Sequence, residues 1–166
     1  MRRAVITGIG IVSSIGDNKE EVLDSLKEGH SGITFAEEYA EMGFRSHVYG
    51  IPKINLDEAL DRKIRRFMGD GAGYNYIAML EAIEDSKLKE EDISDERTGL
   101  IMGSGGPSTR NLIQAADSAR TRGPRKVGPF MVPRCMSSTV SACLSTMFKI
   151  KESNMNKEVH FRKAET

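Results

Sequence analysis

Two cysteines, three histidines and two clusters of basic residues are the side chains of this sequence best suited to chemistry. Cys143 closes a Ser141-Ala142-Cys143 triplet, and a cysteine among small residues on a helix suggests an activated thiol. The spacing argues otherwise. Val140, Cys143, Leu144 and Met147 fall at i, i+3, i+4 and i+7, so Cys143 belongs to the apolar face of a helix and lies at least a turn inside it. Only the first turn offers free N–H groups to a thiolate, so the pattern predicts a buried core thiol. Cys135 and Cys143 make neither a disulfide framework nor a zinc-ligand pattern. His30, His47 and His160 are scattered over a loop, a weak strand and a polar tail, so no base, catalytic triad or metal centre is expected, and no cofactor either.

Glycine-rich runs offer a different chemistry. In VITGIGIVSSIG, Gly8 and Gly10 follow an apolar run from Ala4 to Thr7, and glycines after a first strand can bring backbone close to a pyrophosphate. The helix signal comes late, at Asn18, and no acidic residue closes a second strand about 20 positions on, which favours a plain strand-turn-helix connection. A dinucleotide-binding α/β protein stays as an alternative. GSGGPSTR, after Leu100-Ile101-Met102, could cradle an anion or admit another chain, but it lacks the Lys-Ser/Thr ending of a phosphate loop and reads equally as a turn. The basic clusters are Arg62, Lys63, Arg65 and Arg66 at one helix start, and Arg120, Arg122, Arg125 and Lys126 around Gly123-Pro124. Such runs ordinarily mark solvated faces. On a common surface they would steer an acidic protein or a phosphate-bearing ligand toward it.

The elements that must position these groups follow from periodicity. Strands are expected at 4–7 and 98–102, and a short one around Ser46-His47-Val48. Asn18 and Glu21 open a helix with Val22, Leu23 and Leu26 on its stripe, and Gly29 closes it. Asp61 caps a helix carrying Ile64, Phe67 and Met68, and beyond Gly69, Gly71 and Gly73 a second stripe runs through Tyr76, Leu80 and Ile83, with continuity between them open. Helices are also expected around 112–119 and from Ser137 to Phe148. Strand, glycine loop and helix make an α/β signature.

Lys plus Arg and Asp plus Glu both number 24, so nothing in the net charge recommends nucleic acid or an anionic membrane as partner. No apolar run approaches the roughly 20 residues that span a bilayer, and the start lacks a signal-peptide core, which predicts a soluble, cytoplasmic protein. After Ile150 the chain turns polar and loses its periodicity.

Taken together, RRAVITGIGIVSSIG, LKEGHSGITF, MGFRSHVYG, DRKIRRFM, GLIMGSGG, RGPRKVGPF and VSACLSTMFKI resemble the bacterial β-ketoacyl-acyl-carrier-protein synthases of the synthase I type, nearly collinearly from Met1 to about Ile150. The resemblance implies a thiolase-like α/β fold of two related halves, of which the first is present and incomplete: residues 1–150 as the N-terminal domain, truncated, and 151–166 as a divergent tail. Such enzymes elongate fatty acids by condensing an acyl thioester with malonyl-carrier protein, using a cysteine, two histidines and a lysine. The resemblance places all four beyond Ile150, so this chain is expected to be inactive alone.

Other residues carry over. Lys63, Arg66, Arg125 and Lys126 match basic residues that hold acyl carrier protein, the implied partner in its acyl and malonyl forms. Met136 matches a residue lining the acyl pocket near the interface of the family's homodimer, and Gly105 and Gly106 belong to the loop beside it. Pro133 and Pro107 depart from the family pattern there. Half a core also predicts uncovered apolar faces, Val140, Leu144 and Met147 among them. A non-catalytic module that binds carrier protein or a partner synthase is the second alternative.

Overall fold

The computed structural model describes residues 3–151, so positions 152–166 of the polar tail, His160 included, lie outside the described residues. Along the chain the elements run α1 (Lys19–Glu28), β1 (Ile33–Phe35), α2 (Glu37–Glu41), β2 (Val48–Gly50), α3 (Leu56–Ala59), α4 (Arg62–Arg65), α5 (Asp70–Ser86), α6 (Glu90–Ile93), α7 (Thr109–Arg122), a 3-10 turn (Pro124–Lys126), α8 (Met131–Cys135) and α9 (Thr139–Met147). They form two compact units, 3–55 with 75–87 and 56–74 with 88–151.

In the first unit α1 begins and ends where its capping residues place it. The Asn18 side chain accepts the N–H of Glu21, the Glu21 carboxylate accepts the N–H of Asp17 at 2.9 Å, and Gly29 closes the helix at φ 70°, a conformation that costs glycine little. Of its apolar stripe only Val22 is buried. β1 and β2 pair antiparallel in the register Ile33–Gly50, Thr34–Tyr49 and Phe35–Val48, so the short strand read at 46–48 exists two residues further on.

Residues 4–7 do not form the expected buried strand. Among the described residues they pair with no other segment, and Val5 and Ile6 are 78% and 85% exposed. An apolar run becomes a strand only through a ladder to a neighbour, which composition cannot supply. The glycines that follow serve packing. A Cβ on Gly10 would stand 1.7 Å from the Ala78 carbonyl oxygen, and one on Gly8 2.2 Å from that of Ala82, so the segment lies directly against α5. The N–H groups of Ile9 and Ile11 donate to Asp85 and Glu81 at 3.0 and 2.8 Å, and that of Lys19 to Glu81 at 2.6 Å. Donors that a pyrophosphate would require are thus held by carboxylates, which repel an anion. The dinucleotide reading fails on this geometry.

In the second unit Asp61 caps α4 by accepting the Lys63 N–H at 2.6 Å. The two helical stripes read on either side of the glycines are resolved: α4 ends at Arg65, and α5 then runs unbroken through Gly71 and Gly73. At Gly73 the missing side chain admits Leu56, whose methyl carbon would be 2.9 Å from an added Cβ. Residues 98–102 again form no strand: Leu100 is buried, Ile101 is exposed, and the segment has no ladder among the described residues. α7 extends beyond the 112–119 stripe at both ends. Leu56, Leu60, Met68, Ala72, Ile93, Leu100, Val140, Cys143, Leu144 and Ile150 are the buried apolar residues of this unit. Val140 and Leu144 are therefore covered, contrary to the expectation of an open α9 face. The apolar exposure falls instead on Ile101, Leu112, Ile113, Val132 and Met136.

Candidate functional site

α4 is too short to bury much, and its role is display. Arg62 and Lys63 on it, and Arg66 at its C-cap, are exposed. Arg65 differs: it donates to Asp57 at 2.9 Å, to Asp70 at 2.7 Å and to the Met68 carbonyl at 2.7 Å. Those contacts use its charge to fasten α4 to the start of α5, while Arg62, Lys63 and Arg66 take part in no ion pair among the described residues. In the second basic segment Gly123 ends α7 at φ 87°, and the 3-10 turn that follows sets Arg125 and Lys126 on the surface, also outside any ion pair among the described residues.

Two aromatic rings join the segments. Phe67 meets Phe130 edge to face, with centroids 5.0 Å apart and rings at 87°. The Arg66 guanidinium lies 4.9 Å from the Phe67 centroid and 5.1 Å from that of Phe130, within cation–π range of both. Arg134, on α8, donates its Nε–H to the Arg66 carbonyl at 2.9 Å. Arg62, Arg65, Arg66 and Arg134, with Asp57, line a recess of about 420 Å³. The Phe67–Phe130 contact thus joins the end of the first basic segment to the phenylalanine that closes the second, and the residues lining the recess are arginines and one aspartate, with no nucleophile among them.

Sequence reasoning named the cations of this region and missed Phe67, Phe130 and Arg134 as parts of it. A signal existed: each basic segment, DRKIRRFM and RGPRKVGPF, ends at or beside a phenylalanine. Which rings would meet was not encoded locally.

A second cavity, of about 180 Å³, is lined by Gly106, Pro107, Ser108, Arg134, Met136 and Thr139, with the start of α5. Of the three residues expected near an acyl pocket, Gly106 and Met136 line this cavity and Gly105 does not. Pro133 is accommodated within α8, where its carbonyl accepts the Thr139 hydroxyl and the Met136 N–H.

Cys143 is buried in the middle of α9, and desolvation alone pushes its thiol above the ordinary range, with no cation to favour the thiolate. His47 is engaged locally with the Phe44 carbonyl at 2.6 Å, and His30 lies 3.3 Å from Glu28. No group of three or more potential metal ligands occurs among the described residues, and no helix there is long and apolar enough to cross a membrane.

The class of protein follows from the fold. A crystal structure of a β-ketoacyl synthase from Burkholderia phymatum superposes with a TM-score of 0.77 at 22% identity, covering 95% of this chain and 40% of its own. The ishigamide ketosynthase/chain length factor gives 0.77 at 20%, covering 92% and 39%. A type II polyketide ketosynthase solved in complex with its acyl-carrier protein gives 0.70 at 14%, covering 90% and 40%. These are thiolase-like α/β proteins, and the chain has their fold over the portion it spans. It belongs to the beta-ketoacyl synthase N-terminal domain family, whose profile matches residues 1–156. Among curated relatives, 3-oxoacyl-(acyl-carrier-protein) synthase 1 of Haemophilus influenzae is 54% identical over 155 residues, 93% of this chain and 38% of the relative. The Escherichia coli K12 protein of the same name is 52% identical over 152 residues, 90% and 37% respectively. The chain therefore spans less than two fifths of the length of these relatives.

Proposed function

We propose that this chain carries the acyl-carrier-protein docking surface of a cytoplasmic β-ketoacyl-acyl-carrier-protein synthase of fatty-acid elongation, and that the condensing chemistry depends on residues outside it. The observation that supports the reading is the Phe67–Phe130 contact, which joins the segment of Lys63 and Arg66 to the segment that follows Arg125 and Lys126. Exposed cations that pair with no carboxylate among the described residues attract an acidic partner at long range and cost little to desolvate at its rim. The names of the relatives fit this partner, and a distant fold relative was solved with one bound.

Acyl transfer needs a thiolate, and Cys143 is unsuited to be one, being buried, away from the first turn of its helix and without a cationic neighbour among the described residues to stabilise the anion. Alone, the chain does not condense. Residues 1–150 form the domain, Met136 lines the acyl pocket with Gly105 and Gly106 in the loop beside it, and the assembled enzyme is a homodimer.

Titrating holo-acyl carrier protein into the purified chain tests the docking surface. Binding is weak, falls as salt rises from about 50 to 300 mM, and falls again in Arg66→Glu and Arg125→Glu. Binding indifferent to salt and to both substitutions refutes the surface. For the chemistry, incubation with carrier protein bearing a thioester-linked acyl chain, followed by intact-mass analysis, shows no acyl-enzyme. A stoichiometric adduct that disappears in Cys143→Ser would refute that part.

A further inference from the structure

Arg134 is absent from the basic residues that the resemblance carried over, yet its Nε–H reaches the Arg66 carbonyl across 68 positions of sequence. We infer that Arg134 is a positioning residue for the carrier surface: it fixes the peptide between Arg66 and Phe67 and so keeps the Arg66 guanidinium over the Phe67 and Phe130 rings. The inference rests on the docking surface proposed above and adds a member to it.

The reasoning is geometric. Arg66 is the C-cap of a single-turn helix, where backbone carbonyls lack helical partners and rotate easily. That carbonyl belongs to the peptide plane shared by Arg66 and Phe67, so its orientation sets the direction of both side chains. An arginine suits this task because a planar guanidinium can donate from Nε while its remaining N–H groups stay available. Arg134 is held in turn by α8 and is half-buried, whereas Arg66 is exposed. Arg66 also spans rings from both basic segments, at 4.9 and 5.1 Å, so loss of its orientation would loosen the connection between them. Finally, Arg134 lines the same recess as Arg62, Arg65 and Arg66, where it adds a cation beside the one it orients.

NMR on the full chain separates positioning from plain charge. Ring currents displace the Arg66 δ-methylene resonances in the parent chain, and the Arg134 Nε–H exchanges slowly with water. Arg134→Met keeps the aliphatic bulk and removes the donor. It returns the Arg66 resonances to the values of an unstructured arginine and weakens holo-acyl carrier protein binding about three- to tenfold, after which Arg66→Ala has little further effect. Arg134→Lys keeps charge and one donor, and recovers resonances and binding together or neither. Arg66 resonances unchanged in Arg134→Met overturn the inference, as does binding restored by lysine while those resonances stay at the values of an unstructured arginine. Fast exchange of the Arg134 Nε–H in the parent chain overturns it without any variant. If the parent chain fails to bind carrier protein, the docking reading falls, while the Arg66 resonances still decide whether Arg134 positions that side chain.

Discussion

Asp85 accepts the backbone N–H of Ile9 at 3.0 Å through one carboxylate oxygen and the Lys19 ammonium at 2.5 Å through the other. Two parts of the amino-terminal segment are thereby fastened to α5 by a single side chain. The Lys19 hydrogen bond first, and the Ile9 N–H second, hold the Asp85 carboxyl below its ordinary value of 3.8. Because the depressed pKa is that of the folded state, the stabilisation is complete above 3.8 and is lost as pH falls through the folded value. Urea midpoints of the parent and Asp85→Asn chains should therefore differ at neutral pH and converge in acid. A difference of constant size across that range would show that the carboxylate charge is not what fastens the segment.

Glycine spacing in the same segment makes a steric prediction. Gly10→Ala places a methyl 1.7 Å from the Ala78 carbonyl oxygen, and helix backbone cannot yield by that much. The segment must detach or the helix distort, at a cost of about 3 kcal/mol or more. Gly71→Ala is the control, since nothing lies within 4 Å of its added Cβ, and replacing a helical glycine stabilises by up to about 1 kcal/mol. Chemical denaturation of both variants checks the pair, and equal effects would contradict the packing.

Thiol labelling separates the two cysteines. Cys135 is half-buried and Cys143 buried, so iodoacetamide modifies Cys135 first and reaches Cys143 only as the chain opens. Denaturant should equalise the rates. Cys143 reacting as fast as free cysteine in the native chain would instead reveal an accessible thiol. Cys143→Ser leaves a hydroxyl in an apolar layer beside Leu144 and should cost about 1–3 kcal/mol.

Phe130→Ala removes one ring from the pair and one surface from Arg66. Stability should fall by about 1–2 kcal/mol, part of it the edge-to-face term with Phe67. Carrier protein binding should weaken although no charge has been lost. Unaltered binding would mean that the cations act through net charge, without a defined arrangement.

Asn18→Ala tests the helix start. Its side chain accepts the Glu21 N–H at 2.9 Å, and the loss of such a cap costs about 1 kcal/mol. Circular dichroism melts should register this, while Asn18→Ser, which keeps a neutral acceptor and sets no second carboxylate against Glu21, should recover most of it.

What the sequence determined by itself was local or familial. The caps at Asn18 and Asp61, the left-handed closure at Gly29 and the buried stripe around Cys143 lie within a few residues of their partners, so their chemistry is readable in order along the chain. Seven motifs together were specific enough to point to the β-ketoacyl synthase family, and the cations of the proposed carrier surface came with them. Tertiary structure decided whatever depends on distant partners. Residues 4–7 and 98–102 have strand composition, but a strand needs a ladder, and none forms for them among the described residues. Gly8 and Gly10 could have faced a phosphate or a helix, and only the approach of Ala78 and Ala82 distinguishes the two. The meeting of Phe67 with Phe130, and of Arg134 with the Arg66 carbonyl, joins residues more than 60 positions apart. No local propensity encodes such contacts, because they exist only once packing has brought the elements together.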